Sequence, residues 1–105
     1  MILKIKTMVN LKSAKSRAHT IVKGYVQGIG YRWFVEKTAR SLNITGWVKN
    51  LPNGNVEVEA EGSKENIEKL LYALKNEHPW ARVSQLEVSW IDESTKNYEE
   101  FQIKF

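Results

Sequence analysis

The segment 24–32, Gly-Tyr-Val-Gln-Gly-Ile-Gly-Tyr-Arg, constrains the fold most, because it must turn an extended chain into a helix within a few residues. Its glycines let successive amide N–H groups point at one spot, and a helix start adds unpaired donors and a positive dipole end. An arginine in the first helical turn can donate two hydrogen bonds to phosphoryl oxygens. The segment therefore indicates an anion site, although a plain strand-to-helix turn with Arg32 in a surface ion pair explains the local pattern equally well.

Two familiar nucleotide-binding loops are excluded for this segment. No lysine follows Gly30, so it is not the loop that ends in Gly-Lys-Ser/Thr. Gly28 and Gly30 form a Gly-x-Gly pair, but no third glycine follows at the dinucleotide spacing.

The apolar periodicity of the chain predicts strands and helices in the order β-α-β-β-α-β, with an extra strand at the end. Asn53-Gly54 is a strong turn dipeptide and predicts a hairpin between the second and third strands. The predicted strands are 18–26, 45–50, 56–60, 83–90 and 99–105, the helices are 31–42 and 63–76, and 92–97 is a polar loop. This order is that of a ferredoxin-like α+β sandwich, an antiparallel sheet with two helices on one face and an extra C-terminal strand.

Several placements of individual side chains follow from the same patterns. The first helix should end near Asn43, and Ser63 should cap the second. Alternation predicts inward side chains at Phe101, Ile103 and Phe105. It predicts a solvated outer face at Glu57, Glu59 and Glu61.

Length and composition indicate one small domain without disulfides, since the chain has 105 residues and no cysteine. We expect a cytoplasmic protein, a setting that fits the lack of cysteine, and no membrane span, because no apolar run approaches spanning length. The net charge of +4 comes from residues 1–17, which hold five lysines and arginines and no acid. We interpret 1–17 as a basic, mobile tail, with a targeting peptide as the alternative, and 18–105 as the domain. The body carries eleven basic against twelve acidic residues, so we expect no nucleic-acid partner.

The usual catalytic constellations are missing from the sequence. His19 and His78 fit structural roles better than a serine triad, and no metal-ligand spacing occurs, so we expect no metal and no cofactor. Besides Arg32, the residue of interest is Asn50, which ends the second strand. There it can lie beside the anion loop and bind water with its carboxamide, or serve only as a turn former.

Two motifs together resemble the acylphosphatase family. Residues 24–32 resemble its G-x-V-Q-G-V-x-F-R, and residues 46–50 with the later Gly54 resemble its G-W-V-x-N with a downstream turn glycine. Residues 56–62, 79–83 and 101–103 also fit the family pattern, and the similarity spans about 18–105. Ile29 and Tyr31 replace the usual valine and phenylalanine, and the hydroxyl of Tyr31 needs a polar partner if it is buried.

The resemblance implies hydrolysis of the carboxyl–phosphate anhydride of acyl phosphates to carboxylate and inorganic phosphate, without a metal or a covalent intermediate. Arg32 matches the phosphate-binding arginine and Asn50 the water-positioning asparagine. Together with Arg32, the phosphate cradle would consist of the backbone amides of Val26, Gln27, Gly28, Ile29, Gly30 and Tyr31. We expect a monomer whose only partners are the small-molecule acyl phosphate and inorganic phosphate, the latter as product and inhibitor. Because no protein base is evident, we hypothesise that a phosphate oxygen of the substrate accepts the proton of the attacking water.

Two other functions are compatible with this fold. One is a non-catalytic phosphoanion-binding or regulatory domain. The other is a nucleic-acid binder that uses the lysine-rich tail. The Arg32–Asn50 pair favours the enzyme over the first alternative, and the near-neutral body argues against the second.

Overall fold

The computed structural model describes residues 15–91 and 97–105. Its elements have the predicted order, and the ferredoxin-like α+β fold class is confirmed. They are β1 (Ser16–Tyr25), α1 (Tyr31–Ser41), β2 (Thr45–Asn50), β3 (Val56–Gly62), α2 (Lys64–Asn76), β4 (Arg82–Ile91) and β5 (Phe101–Lys104). Most of the predicted tail (1–17) and of the predicted loop (92–97) lies outside the described residues. Because β1 begins at Ser16, the last two residues assigned to the tail belong to the sheet.

The sheet has the strand order β4-β1-β3-β2-β5. The first four strands in the chain pair antiparallel, as predicted, whereas the extra strand β5 pairs with β2 in parallel, with Val48 opposite Ile103. The parallel pairing has a topological reason. The chain reverses after β4, so β5 runs opposite to β4 and hence in the same direction as β2.

Both helices pack against the sheet and against each other: α1 lies over β2 and β5, and α2 lies over β1, β3 and β4. The helices contribute buried side chains at helical spacing, namely Tyr31, Val35 and Ala39 from α1 and Ile67, Leu70, Ala73 and Leu74 from α2. Each large apolar side chain buried in this way stabilises the fold by about 1.5–3 kcal/mol. None of the helices in the described ranges is long and apolar enough to span a bilayer.

The helix boundaries agree with the predicted signals. Asn43, just beyond α1, has a φ of 57°, the left-handed conformation expected there. At the start of α2, Ser63 Oγ accepts a hydrogen bond from Asn66 N at 3.1 Å. Local sequence signals therefore set the ends of these two helices.

Two predicted side-chain placements are wrong. Phe105 is 95% exposed, because β5 ends at Lys104 and the last residue lies beyond the ladder. Glu61 is 1% exposed rather than solvated. Its Oε1 accepts hydrogen bonds from the backbone N–H groups of Asn97 (2.7 Å) and Tyr98 (3.3 Å), and these donors offset the desolvation of a buried carboxylate.

Three strand ends meet at one end of the sheet, and this meeting point positions the candidate site. Val56 of β3 pairs with Val22 of β1 on one side and with Asn50 of β2 on the other. Since β1, β2 and β5 all run in the same direction, the loop after β1, the end of β2 and the end of β5 lie at the same end of the sheet. Two positions within these strands require glycine, Gly24 in β1 and Gly46 in β2. A Cβ at either position would collide with a carbonyl oxygen of the neighbouring strand.

Candidate active site

The loop between β1 and α1 has the backbone conformation that its glycines allow. Gly28 (φ 77°) and Gly30 (φ 75°) are both left-handed. An added Cβ at either position would meet no atom within 4 Å, so the requirement for glycine is conformational and not one of space. Gly30 is the N-cap of α1, offers no capping side chain, and no acidic residue follows in the first turn. The helix start therefore has no side-chain acceptor of its own to compete with an anion.

This loop forms one wall of a pocket of about 190 Å³, and the end of β2 and the end of the chain form the others. The pocket brings together the two residues singled out in the sequence, Arg32 and Asn50. Its lining residues are Val26, Gly28, Gly30, Tyr31, Arg32, Trp33, Asn50, Ile103 and Phe105. Val26 and Tyr31 of this lining are buried, each 1% exposed.

Arg32 lies in the first turn of α1 and is held by the end of β5. Its Nη1 donates a hydrogen bond to the carbonyl oxygen of Lys104 at 3.2 Å, and its Cζ lies 4.8 Å from the centroid of the Phe105 ring. A guanidinium has five N–H donors, so this anchoring leaves donors for an anion in the pocket. The anchor fixes the charge beside the loop amides.

Asn50 is half-buried at the last position of β2. Its Oδ1 is buried and has no hydrogen-bond partner among the described residues. A buried carboxamide oxygen normally accepts a hydrogen bond from protein or from water. In this pocket Oδ1 can accept one from a water molecule, while the amide nitrogen of the same group can donate to an oxyanion.

The side chain of Gln27 connects the loop to the turn after β2. This side chain does not line the pocket, and Nε2 donates to the carbonyl oxygens of Leu51 and Asn55, both at 2.8 Å. The bonds tie the anion loop to the turn that follows Asn50. Ile29 also points away and packs against the core. Of the eight predicted site residues, Gln27 and Ile29 are the two that do not line the pocket.

The hydroxyl of Tyr31 has the polar partner that its burial requires, because it donates to the carbonyl oxygen of Leu74 at 2.8 Å. Burial raises the pKa of Tyr31 well above its usual range. The phenol therefore stays protonated at neutral pH and cannot act as a base in the pocket.

Three pocket residues are not among the site residues predicted from the sequence: Trp33, Ile103 and Phe105. Trp33 directly follows the phosphate-binding arginine candidate in the sequence, and this adjacency is the signal that could have identified it. The two residues from the end of the chain were assigned to the core by alternation. Their presence at the site depends on the parallel pairing of β5 with β2.

The histidines contribute nothing to the pocket. His19 Nε2 lies 2.7 Å from Glu57 Oε2 on the sheet, and His78 Nδ1 accepts from the backbone N–H groups of Trp80 and Ala81. In the described ranges, no group of three or more potential ligands among histidine, cysteine, aspartate and glutamate could hold a metal ion.

Comparison with known proteins agrees with this geometry. The acylphosphatase family model matches residues 18–103. An acylphosphatase of Thermus thermophilus is 49% identical over 74% of this chain and 89% of its own length, and one of Thermococcus kodakarensis is 42% identical over 83% and 93%. The crystal structure of acylphosphatase from Bacillus subtilis superposes with a TM-score of 0.80 at 34% identity, over 86% of this chain and 99% of that one. The motifs at 24–32 and 46–50 lie within the matched region, and we conclude that this chain belongs to the acylphosphatase family.

Proposed function

We propose that this acylphosphatase cleaves acyl phosphates with Arg32 and Asn50 acting on one bound phosphoryl group. The reaction converts an acyl phosphate and water into a carboxylate and inorganic phosphate. The observation that carries the proposal is that Arg32, Asn50 and the glycines of the anion loop line a single pocket. A simple turn with Arg32 in a surface ion pair does not account for this arrangement.

In this proposal, the loop between β1 and α1 binds the phosphoryl group together with Arg32. The amides from Val26 to Tyr31 and the start of α1 supply N–H donors, and the guanidinium supplies a fork of two more. These donors are fixed before the substrate arrives. They therefore stabilise the charge that develops on the equatorial oxygens without reorganisation during the reaction.

Asn50 positions the attacking water. Its Oδ1 accepts a hydrogen bond from the water, and the water oxygen forms a bond to phosphorus as the bond to the acyl oxygen breaks. The electron pair of the broken bond leaves with the carboxylate. Because a carboxylate is a good leaving group, the protein needs no strong general acid.

The proton of the attacking water passes to an oxygen of the phosphoryl group in this proposal. The support comes from the described residues of the pocket lining, which include no carboxylate and no histidine. The phenol of Tyr31 is excluded as a base because its hydroxyl donates to Leu74 and burial raises its pKa.

Gln27 acts as a positioning residue in this proposal, because it ties the phosphate loop to the turn after Asn50. We expect Gln27→Met, which keeps the shape and removes both bonds, to lower kcat about 10-fold by misplacing the water relative to the phosphoryl group. Inhibition by phosphate should change less than about 3-fold, since the loop amides and Arg32 remain. Steady-state kinetics of benzoyl phosphate hydrolysis measure both quantities.

The control for Gln27 is Asn66→Leu. Asn66 Nδ2 makes a similar side-chain bond, to the carbonyl oxygen of Leu42 at 3.0 Å, but far from the pocket. This variant should keep the wild-type kcat. In an Asn50→Ala background, Gln27→Met should lower kcat little further, because the water it helps to place is already lost. An additive loss would show that Gln27 does not act through Asn50.

The experiment that tests the proposed function is hydrolysis of benzoyl phosphate by the purified chain in the presence of a chelator. We expect turnover that inorganic phosphate inhibits competitively. A protein that binds phosphate but hydrolyses nothing would instead be the non-catalytic phosphoanion-binding domain. The proposal also includes a monomeric state and a cytoplasmic setting, as the sequence predicts.

A further inference from the structure

The pocket has an apolar part that binding of a phosphoryl group does not explain. Phe105 is 95% exposed and Trp33 is 60% exposed, and both line the same pocket as Arg32. Ile103 lines it too and is half-buried against the core. Large apolar side chains at this degree of exposure gain free energy when a ligand removes them from water.

The charges beside these rings limit what can bind there. Arg32 Cζ lies 4.8 Å from the Phe105 ring centroid, and Lys37 Nζ lies 5.0 Å from that of Trp33. The part of the lining that the structure describes contains no acidic side chain. A cationic group would therefore meet only positive charge, whereas an uncharged group would meet two aromatic rings and an aliphatic side chain.

We propose that Trp33, Ile103 and Phe105 form a subsite for the acyl group of the substrate, and that the enzyme favours acyl phosphates with an apolar acyl group, above all a planar aromatic one, over those with a small or a cationic one. This inference rests on the proposed function. The polar lining of the pocket holds the phosphoryl group, and one bridging oxygen joins that group to the acyl carbon. The acyl group therefore lies within a few ångströms of the bound phosphorus, among the remaining, apolar lining.

The test compares benzoyl phosphate with acetyl phosphate. In Trp33→Ala and Phe105→Ala, we expect kcat/KM for benzoyl phosphate to fall about 10-fold, the scale of losing part of an apolar contact surface. For acetyl phosphate it should change less than about 2-fold in Trp33→Ala, because a methyl group covers little of the ring. In Phe105→Ala it should fall several-fold less than for benzoyl phosphate, since Phe105 also contacts Arg32. Comparing each variant with wild type on the same substrate cancels the different reactivities of the two leaving groups.

Two further measurements separate the subsite from the phosphoryl site. Inhibition by phenylphosphonate should weaken in both variants, whereas inhibition by methylphosphonate and by inorganic phosphate should stay at the wild-type level in Trp33→Ala. Phe105→Leu should keep more of the benzoyl phosphate activity than Phe105→Ala, since it keeps an apolar side chain there.

Trp80→Ala is the matched control, because Trp80 is 69% exposed and lies outside the lining. It should leave both substrates unchanged.

Wild-type kcat/KM for both substrates in both variants would overturn the acyl subsite. Equal losses for both substrates would also overturn it, since the rings would then serve the phosphoryl group. In either case, continued hydrolysis of acetyl phosphate would leave the proposed function standing. A wild-type chain that hydrolyses neither substrate would instead contradict the proposed function itself, and the subsite with it.

Discussion

Replacing Arg32 with alanine should lower kcat/KM for an acyl phosphate by about three orders of magnitude and weaken inhibition by phosphate. Removing one preorganised donor from an oxyanion-type site typically raises the barrier by ~2.7–4 kcal/mol. Arg32 supplies a forked pair of donors and a full charge, so its loss should affect both the bound phosphate and the transition state. Steady-state kinetics with phosphate as competitive inhibitor measure both effects.

The chain offers a closely matched control for this variant. Arg40 also lies on α1 and also donates to a carbonyl oxygen of β5, with Nη2 2.8 Å from Phe101 O, but it does not line the pocket. Arg40→Ala should therefore keep the kinetic constants near wild type even if it lowers stability. Arg32→Lys should restore only part of the activity, since an ammonium has the charge without the planar fork. An Arg32→Ala protein with wild-type affinity for phosphate would contradict the assignment.

Replacing Asn50 with alanine should lower kcat by about 10²–10³-fold while leaving inhibition by phosphate within a few-fold of wild type. The magnitude is that of losing one positioned polar group at the reacting centre. The geometry explains why kcat should fall while inhibition by phosphate stays nearly unchanged. In the proposed mechanism the loop and Arg32 hold the phosphoryl group, whereas the buried Oδ1 of Asn50, which has no partner among the described residues, orients water.

Asn53→Ala separates the catalytic role of Asn50 from the role of a turn former. Asn53 lies in the same turn, where its Oδ1 accepts from the backbone N–H of Asn55 at 3.0 Å, and it does not line the pocket. The Asn53 variant should lose stability without losing kcat. If the two variants instead behaved alike, with wild-type turnover in both, Asn50 would be no more than a turn residue.

Most of the fold was predictable because its signals are local. Helical spacing of apolar residues, the Ser63 cap, the Asn53-Gly54 turn and strand alternation each depend on neighbours a few residues away. The partner and direction of β5 depend instead on contacts across the whole domain. The end of β5 depends on these contacts as well. Alternation alone continues the strand one residue past Lys104 and therefore wrongly predicts that Phe105 points inward.

The site was predictable to a similar extent. Arg32 and Asn50 were chosen for their chemistry, and the order of strands β1, β3 and β2 places both at one pocket. The direction of the Gln27 side chain depends on the turn that crosses beside it, and no local signal reports this. The burial of Glu61 likewise depends on backbone donors 36 and 37 residues further along the chain. The catalytic roles of Arg32 and Asn50 stay predictions until they are measured.

The most direct test of the mechanism follows the oxygen atom of the attacking water. Wild-type protein with a chelator should hydrolyse benzoyl phosphate in ¹⁸O-labelled water well above the spontaneous rate, and the label should appear in inorganic phosphate. That result requires attack at phosphorus, as the proposed binding of the phosphoryl group by Arg32 and the loop amides predicts. Label in the benzoate would mean attack at the carbonyl carbon and would contradict the account.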